Sequence, residues 1–346
     1  MKIKGWVYFL LVNLTLVQGG IKDDLRTRFT GNEEDLENIL NLLEKQNLLQ
    51  TWTQILENPN SALLVIDMQN DFISGSMELE GADELIETIQ DVASGWDWGK
   101  VVFSQDWHPR DHISFFSNVE KRPLDETWRN KNPGEISVYD EVVFAATPPY
   151  SQILWPDHCV QETEGADFPP ELKPLVEANS TYLIRKGTNP EVDSYSAFFD
   201  NNGNGNGDTG LKDILLGTVT EVVVVGLATD YCVGRTTIDA QGLGIPATIL
   251  LDVSRGVANQ SIQDMLGRIE NSGGRSTTWE NWRTDEWSRA KHIAQTLISQ
   301  GSREPKSGFS ESFVENSGTK TSTFNCALGL GTYLILIFTL LNRHFM

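Results

Sequence analysis

Five short apolar runs, each continuous rather than alternating, constrain this chain more than any other feature. They are Ala62-Leu-Leu-Val-Ile66, Lys100-Val-Val-Phe-Ser-Gln105, Tyr182-Leu-Ile184, Glu221-Val-Val-Val-Val225 and Ala247-Thr-Ile-Leu-Leu251. A strand with one wet face alternates apolar and polar residues, whereas a continuous run needs cover on both faces. Helical periodicity fills intervals between them, at 82–94, 230–243 and 259–271. The resulting βαβ series predicts a three-layer α/β/α fold with a mainly parallel open sheet, Rossmann-like in layout.

Ligands of open α/β sheets bind outside the carboxyl ends of the strands. Asp67 follows the first run, Asp106 the second, Lys186 the third and Gly226-Leu-Ala-Thr-Asp-Tyr-Cys232 the fourth. Four chemically useful groups therefore converge on one edge. Asp106-Trp-His108 sets a carboxylate and an imidazole two residues apart, on one side of an extended segment. Trp155-Pro-Asp-His158-Cys159 offers a second imidazole from a distant loop. Two histidines and an aspartate with open positions suit a divalent ion, zinc first, with manganese or iron as alternatives. His112 is either a further ligand or a support for the others. Taken singly, these histidines could equally be surface residues.

Cys232 sits between a strand and the next predicted helix. The positive end of the helix dipole is expected to lower its pKa and favour thiolate, and backbone N–H groups there can hold an oxyanion. The bland alternative is a buried structural cysteine. Asp67 could take the thiol proton, and Lys186 could stabilise thiolate and developing negative charge; alone, each would more often be an ordinary salt-bridged charge.

The remaining features bound the setting. A net charge of −21 disfavours nucleic acid and anionic surfaces as partners. With only 3 cysteines, Cys159, Cys232 and Cys326, the fold must hold by burial rather than disulfides. Residues 1–19 have the layout of a secretory signal peptide, with Lys2 and Lys4, an apolar run from Trp6 to Val17, then Gly19 and Gly20. Residues 20–60 read as a helical extension. Residues 276–316 read as a C-terminal extension and stalk, whose tryptophans Trp279, Trp282 and Trp287 are expected to pack on the domain. Residues 317–346 read as a GPI-attachment signal that is removed. There the small residues Asn316, Ser317 and Gly318 precede a polar spacer and the apolar run Ala327–Leu341; a membrane-spanning helix is the rival. The mature chain would then face outside on the cell membrane, with Asn179 and Asn259 as candidate glycan acceptors. The loop Asp200-Asn-Asn-Gly-Asn-Gly-Asn-Gly-Asp208 mimics a calcium loop but carries Leu211 where a bidentate glutamate is needed, so it reads as a plain flexible loop.

Five separated motifs resemble one family. Asp67-Met-Gln-Asn-Asp-Phe72, Gln105-Asp-Trp-His-Pro-Arg-Asp-His-Ile-Ser-Phe115, Trp155-Pro-Asp-His-Cys159, Arg185-Lys-Gly187 and Gly226-Leu-Ala-Thr-Asp-Tyr-Cys-Val233 are similar to those of the nicotinamidases within the isochorismatase-like cysteine hydrolases. The resemblance spans about residues 61–275. It implies an Asp67–Lys186–Cys232 triad and metal ligands Asp106, His108 and His158, with His112 a ligand in some members only. It further implies aromatic pocket walls at Phe72 and Trp155, a cis peptide at Leu227–Ala228, and an oxyanion hole from the N–H groups of Ala228 and Cys232. The implied reaction is hydrolysis of nicotinamide to nicotinate and ammonia through a cysteine thioester. The expected partners are this small substrate and a membrane reached by lipid or helix; homo-oligomerisation is left open. Related hydrolases of other small amides, and a tethered non-catalytic module, are the competing readings.

Overall fold

Val, Ile and Leu fill the apolar runs, and each run becomes a strand because β-branched side chains suit a pleated, covered surface. The computed structural model describes residues 60–132, 134–202 and 207–285, with His292, Ile293 and Thr296. Strand β1 (Ser61–Ile66) is buried at every position, as is β6 (Glu221–Leu227). With β2 (Lys100–Asp106), β5 (Thr181–Lys186), β7 (Ala247–Arg255) and β8 (Arg275–Thr277) they form one parallel sheet in the order β5-β2-β1-β6-β7-β8.

Alternate residues of the central strands feed two cores. Leu63, Val65, Val223 and Val225 pack with Leu85, Ile89 and Val92 of helix α1 (Leu85–Ser94). Ala62, Leu64, Val222 and Val224 pack with Ala240 of α2 (Gly234–Leu243) and with Met265 and Ile269 of α3 (Asn259–Asn271). Two buried strand faces explain the absence of polar alternation. The third run departs from that expectation. As the sheet's edge, β5 leaves Tyr182 and Leu183 exposed by 39% and 41%, because only one neighbour and one layer cover it.

The chain runs from β1 outward to β2 and β5, then returns to lay β6 against the other side of β1. The carboxyl ends of β1 and β6 therefore flank a topological switch point, where such sheets open a crevice. The pairing of β6 with β7 slips there, between Val224 and Gly226.

Two elements carry no clear sequence signal. Strands β3 (Glu141–Phe144) and β4 (Tyr150–Ile153) form an antiparallel hairpin over a small core of Ile113, Val142, Phe144 and Leu154. The expected tryptophan packing is present for two of the three, Trp287 lying outside the described residues: Trp282, on helix α4 (Trp279–Thr284), is fully buried and stacks on Trp98 at 5.2 Å, edge-on to Trp96 at 5.0 Å, and Trp279 stacks on Trp98 at 6.1 Å. Trp282→Ala is expected to cost about 3–5 kcal/mol of stability, read as a fall in denaturant midpoint with unchanged slope. A loss under 1 kcal/mol would mean that this segment is not part of the cooperative fold.

The signal segment, the 20–60 extension apart from Asn60, most of the stalk and the apolar tail with Cys326 lie outside the described residues, as do residues 203–206 of the Asn/Gly loop. The sides of that loop meet where Asp200 N–H donates to Gly207 O at 3.1 Å. Asn179 and Asn259 are both exposed.

Candidate active site

Strand register builds the site. Asp106 ends β2, Lys186 ends β5, and the two are paired neighbours in the parallel ladder. Asp67 is the first residue past β1 and takes a left-handed conformation (φ 50°), which aspartate tolerates better than most residues. Its backbone N–H and carboxylate both engage Ser104 from β2, with Ser104 Oγ donating to Asp67 Oδ1 at 2.7 Å. Cys232 lies on a π-helical turn, Thr229–Val233, between β6 and α2. Gly226 leads into that turn at φ 119°, where any Cβ would stand 2.2 Å from Ile66 O, so the motif needs glycine. The expected cis peptide at Leu227–Ala228 is absent: among the described residues only Thr147–Pro148 is cis. Ala228 reverses the chain instead by adopting φ 60°, and its carbonyl accepts from Tyr231 and Val233 N–H at 3.0 and 3.1 Å.

Lys186 is the hub. Its Nζ lies 2.6 Å from Asp106 Oδ1, 2.9 Å from Asp67 Oδ2, 2.9 Å from Ser194 O and 3.4 Å from Cys232 Sγ. Oxygens of Asp67 and Asp106 and the sulfur of Cys232 all lie within 4.8 Å of one another. Burial alone would push the ammonium down, but Asp106 and Asp67 outweigh it, and Lys186 stays well above its ordinary pKa. Burial raises the Asp67 carboxyl, only partly opposed by Lys186. Oδ1 of Asp67 is held by Ser104, while Oδ2 has the ammonium contact and no well-angled hydrogen bond, leaving a lone pair for a proton.

The expectation of a lowered thiol pKa is overturned. Burial pushes Cys232 well above its ordinary value, and Asp67 and Asp106 add to this against Lys186. Among side chains this deeply buried, desolvation and two carboxylates outweigh one ammonium and a helix end. Cys232 therefore rests as a thiol and needs a base.

Asp106, His108 and His158 offer donor atoms within 4.8 Å of one another, all buried. His108 Nδ1 donates to Gly187 O at 3.0 Å and His158 Nδ1 donates to Pro156 O at 2.7 Å. A carbonyl only accepts, so both Nδ1 atoms carry the proton and both Nε2 atoms face the cluster, that of His108 3.5 Å from Asp106 Oδ2. A Cβ on Gly187 would reach His108 Cε1 at 2.3 Å, which makes glycine necessary beneath the ring. Burial, the largest influence, pushes His108 down, but the Asp106 charge and hydrogen bond outweigh it and the net shift is upward. Burial and the neighbouring His108 lower His158. The His112 ring lies 4.1 Å from that of His108, tilted by 31°; its Nδ1 meets Ser114 Oγ at 2.7 Å, and its buried Nε2 makes no well-angled hydrogen bond. Burial holds His112 down at about 2, so its ring is neutral. An orphaned imidazole nitrogen beside two ligand-ready ones fits a divalent cation.

The aromatic residues line up around this centre. Phe72 packs edge-on against the His158 ring at 5.5 Å, and Trp155 against Tyr231, the neighbour of Cys232, at 4.9 Å. Several participants had no sequence assignment. Gln69 donates to Asp106 O and accepts from Asp106 N–H, both at 2.8 Å, which locks that residue. Asp230, buried, accepts from Val257 and Ala258 N–H at 2.9 and 3.1 Å and from Ser261, pinning the cysteine turn to the start of α3. Tyr195 OH accepts from Trp155 Nε1 at 3.4 Å. Gln69 and Asp230 lay inside quoted motifs, so their polarity beside buried positions was the available signal; Ser104 and Asp193–Tyr195 had none.

Comparisons with known proteins place the fold in a family. The isochorismatase domain model matches residues 61–281. Nicotinamidase of Escherichia coli is 36% identical over 229 residues, covering 64% of this chain and 95% of the relative. Nicotinamidase of Acinetobacter baylyi is 36% identical over 217 residues, covering 62% and 86%. Among solved structures, yeast nicotinamidase bound to the inhibitor nicotinaldehyde superposes with TM-score 0.55 at 29% identity, covering 63% of this chain and 99% of that one. An Acinetobacter baumanii nicotinamidase gives TM-score 0.53 at 33% identity, covering 64% and 97%. With a mainly parallel six-stranded sheet like that of these structures and a domain match over most of the described residues, the chain belongs to the isochorismatase family.

Proposed function

We propose that this chain is an amidase that hydrolyses nicotinamide to nicotinate and ammonia, with Asp67, Lys186 and Cys232 as its catalytic triad. The observation that carries the reading is the Lys186 hub, which sets one ammonium between a base carboxylate and a resting thiol. The similarity to nicotinamidases from bacteria and yeast supplies the substrate class.

Asp67 takes the Cys232 proton as the thiolate attacks the carboxamide carbon. Lys186 balances the charge that appears on sulfur, and the N–H groups of Ala228 and Cys232 receive the oxyanion. Asp67 returns its proton to the departing nitrogen, and ammonia leaves a thioester on Cys232. A water molecule, deprotonated by Asp67, attacks that thioester; nicotinate leaves, and the thiol is restored. Phe72 and Trp155 sandwich the ring. Asp106, His108 and His158 would hold a divalent ion, zinc first, which when bound supplies a Lewis-acid contact for the pyridine nitrogen. Ammonia release tests the reading: the purified protein should act on nicotinamide and lose activity toward it when the metal is stripped. Equal turnover of unrelated small amides, independent of metal, would point to a different hydrolase of this family.

The expected export and tethering belong to the same proposal. Among the described residues no helix is long and apolar enough to cross a membrane, and the run at 327–341 lies outside them. Support comes from the order of small residues, spacer and apolar tail. Phosphatidylinositol-specific phospholipase C is expected to release activity from intact cells. Protein that resists release and retains residues 327–346 would be a membrane-spanning form instead.

A further inference from the structure

Lys186 already has two carboxylates within 2.9 Å, so Asp106 meets any bound cation with its charge shared. Two carboxylates and one ammonium leave one net negative charge. A divalent ion would turn that into one net positive charge among buried side chains, an unfavourable state unless another anion is near. Asp193 is such an anion. It is 3% exposed, and its carboxylate shares a sphere of 4.8 Å with donor nitrogens of His108 and His112. Its oxygens accept from neutral donors, Ser194 N–H at 2.7 Å and Gln152 Nε2 at 3.0 Å, and no lysine or arginine among the described residues forms an ion pair with it. A buried carboxylate without a cation is rare. Beside it stands the second unmatched group, Nε2 of buried His112. A carboxylate lacking a cation and an imidazole whose second nitrogen makes no well-angled hydrogen bond ask for the same ligand.

We infer that Asp193 is a further acidic group of the metal centre, a positioning residue that raises its affinity for a divalent cation through His108 and His112. The β3–β4 hairpin holds it there. Gln152 reaches Asp193 Oδ2 from β4, and Tyr150 OH accepts Asp193 N–H at 3.2 Å while donating to Gln152 Oε1 at 3.1 Å. The hairpin, which the sequence did not announce, thereby gains a role in cation binding. The inference rests on the proposed metal centre.

The test is a zinc titration of the full-length, chelator-stripped protein against a competing indicator, with thermal unfolding of the apo and zinc-loaded forms alongside. Asp193→Asn keeps the shape and removes the charge. It is expected to weaken zinc binding about tenfold, the effect of removing one buried opposite charge close to a cation, and to shrink the zinc-induced rise in unfolding temperature while the apo form unfolds as wild type. Asp193→Glu keeps the charge and serves if the first variant does not fold; it should bind zinc more tightly than any neutral substitution there. Zinc affinity within twofold of wild type in a folded neutral variant overturns the inference and leaves the metal centre standing. Failure of the wild-type protein to bind zinc, manganese or iron overturns both.

Discussion

Cys232→Ala is expected to abolish turnover of nicotinamide, lowering kcat by more than about a thousandfold, as removal of a nucleophile does in other covalent hydrolases. The fold should survive, because Lys186 keeps its contacts with Asp67, Asp106 and Ser194 O when the sulfur is gone. Cys159→Ala provides the comparison. Cys159 is also buried, but burial and three carboxylates hold its thiol well above the ordinary pKa, and its backbone rather than its sulfur engages the site, accepting His108 N–H and donating to Asp71. Appreciable activity should remain in Cys159→Ala. Ammonia release by Cys232→Ala at near the wild-type rate would remove the nucleophile from the mechanism.

The second large effect concerns the metal. His108→Ala should eliminate zinc binding and reduce kcat/KM by more than the about 10–100-fold that losing a supporting hydrogen bond costs. His112→Ala should lose less, because its ring contributes one orphaned nitrogen while Asp106, His108 and His158 remain. Acid should strip the ion: Asp106 holds the His108 pKa above the ordinary imidazole value, so protons compete for that nitrogen already at mildly acidic pH. Activity should fall as pH drops and return when the pH is restored with zinc, manganese or iron present. Full activity in protein shown by elemental analysis to be free of metal would contradict the role assigned to these residues.

The sheet was legible because its central strands are buried on two faces and so write continuous runs; β1, β2 and β6 begin within a residue of the apolar runs that announced them. What escaped is what such runs cannot encode. The β3–β4 hairpin is built from two four-residue strands with mixed polarity, and β8 from three residues. The triad and the Asp106, His108 and His158 cluster were legible because each residue ends or immediately follows a strand, or sits in a motif of the resemblance, and the structure brings all of them together. The direction of the Cys232 shift was not, since desolvation depends on how completely the pocket closes. Nor was the Leu227–Ala228 geometry: a left-handed Ala228 solves the same turn locally. Asp193 and Tyr195 lie beyond β5 in a segment without periodicity, and only the fold brings them to the site.

The central claim is that Cys232 carries nicotinamide through a thioester to nicotinate. Purified protein loaded with zinc and incubated with nicotinamide in heavy-oxygen water tests it most directly by mass spectrometry. The account predicts nicotinate with a single oxygen from solvent, ammonia in equal amount, and, on rapid acid quench, a pyridine-carbonyl adduct confined to the peptide that contains Cys232. Nicotinamide recovered unchanged, or nicotinate formed without dependence on Cys232, would contradict it.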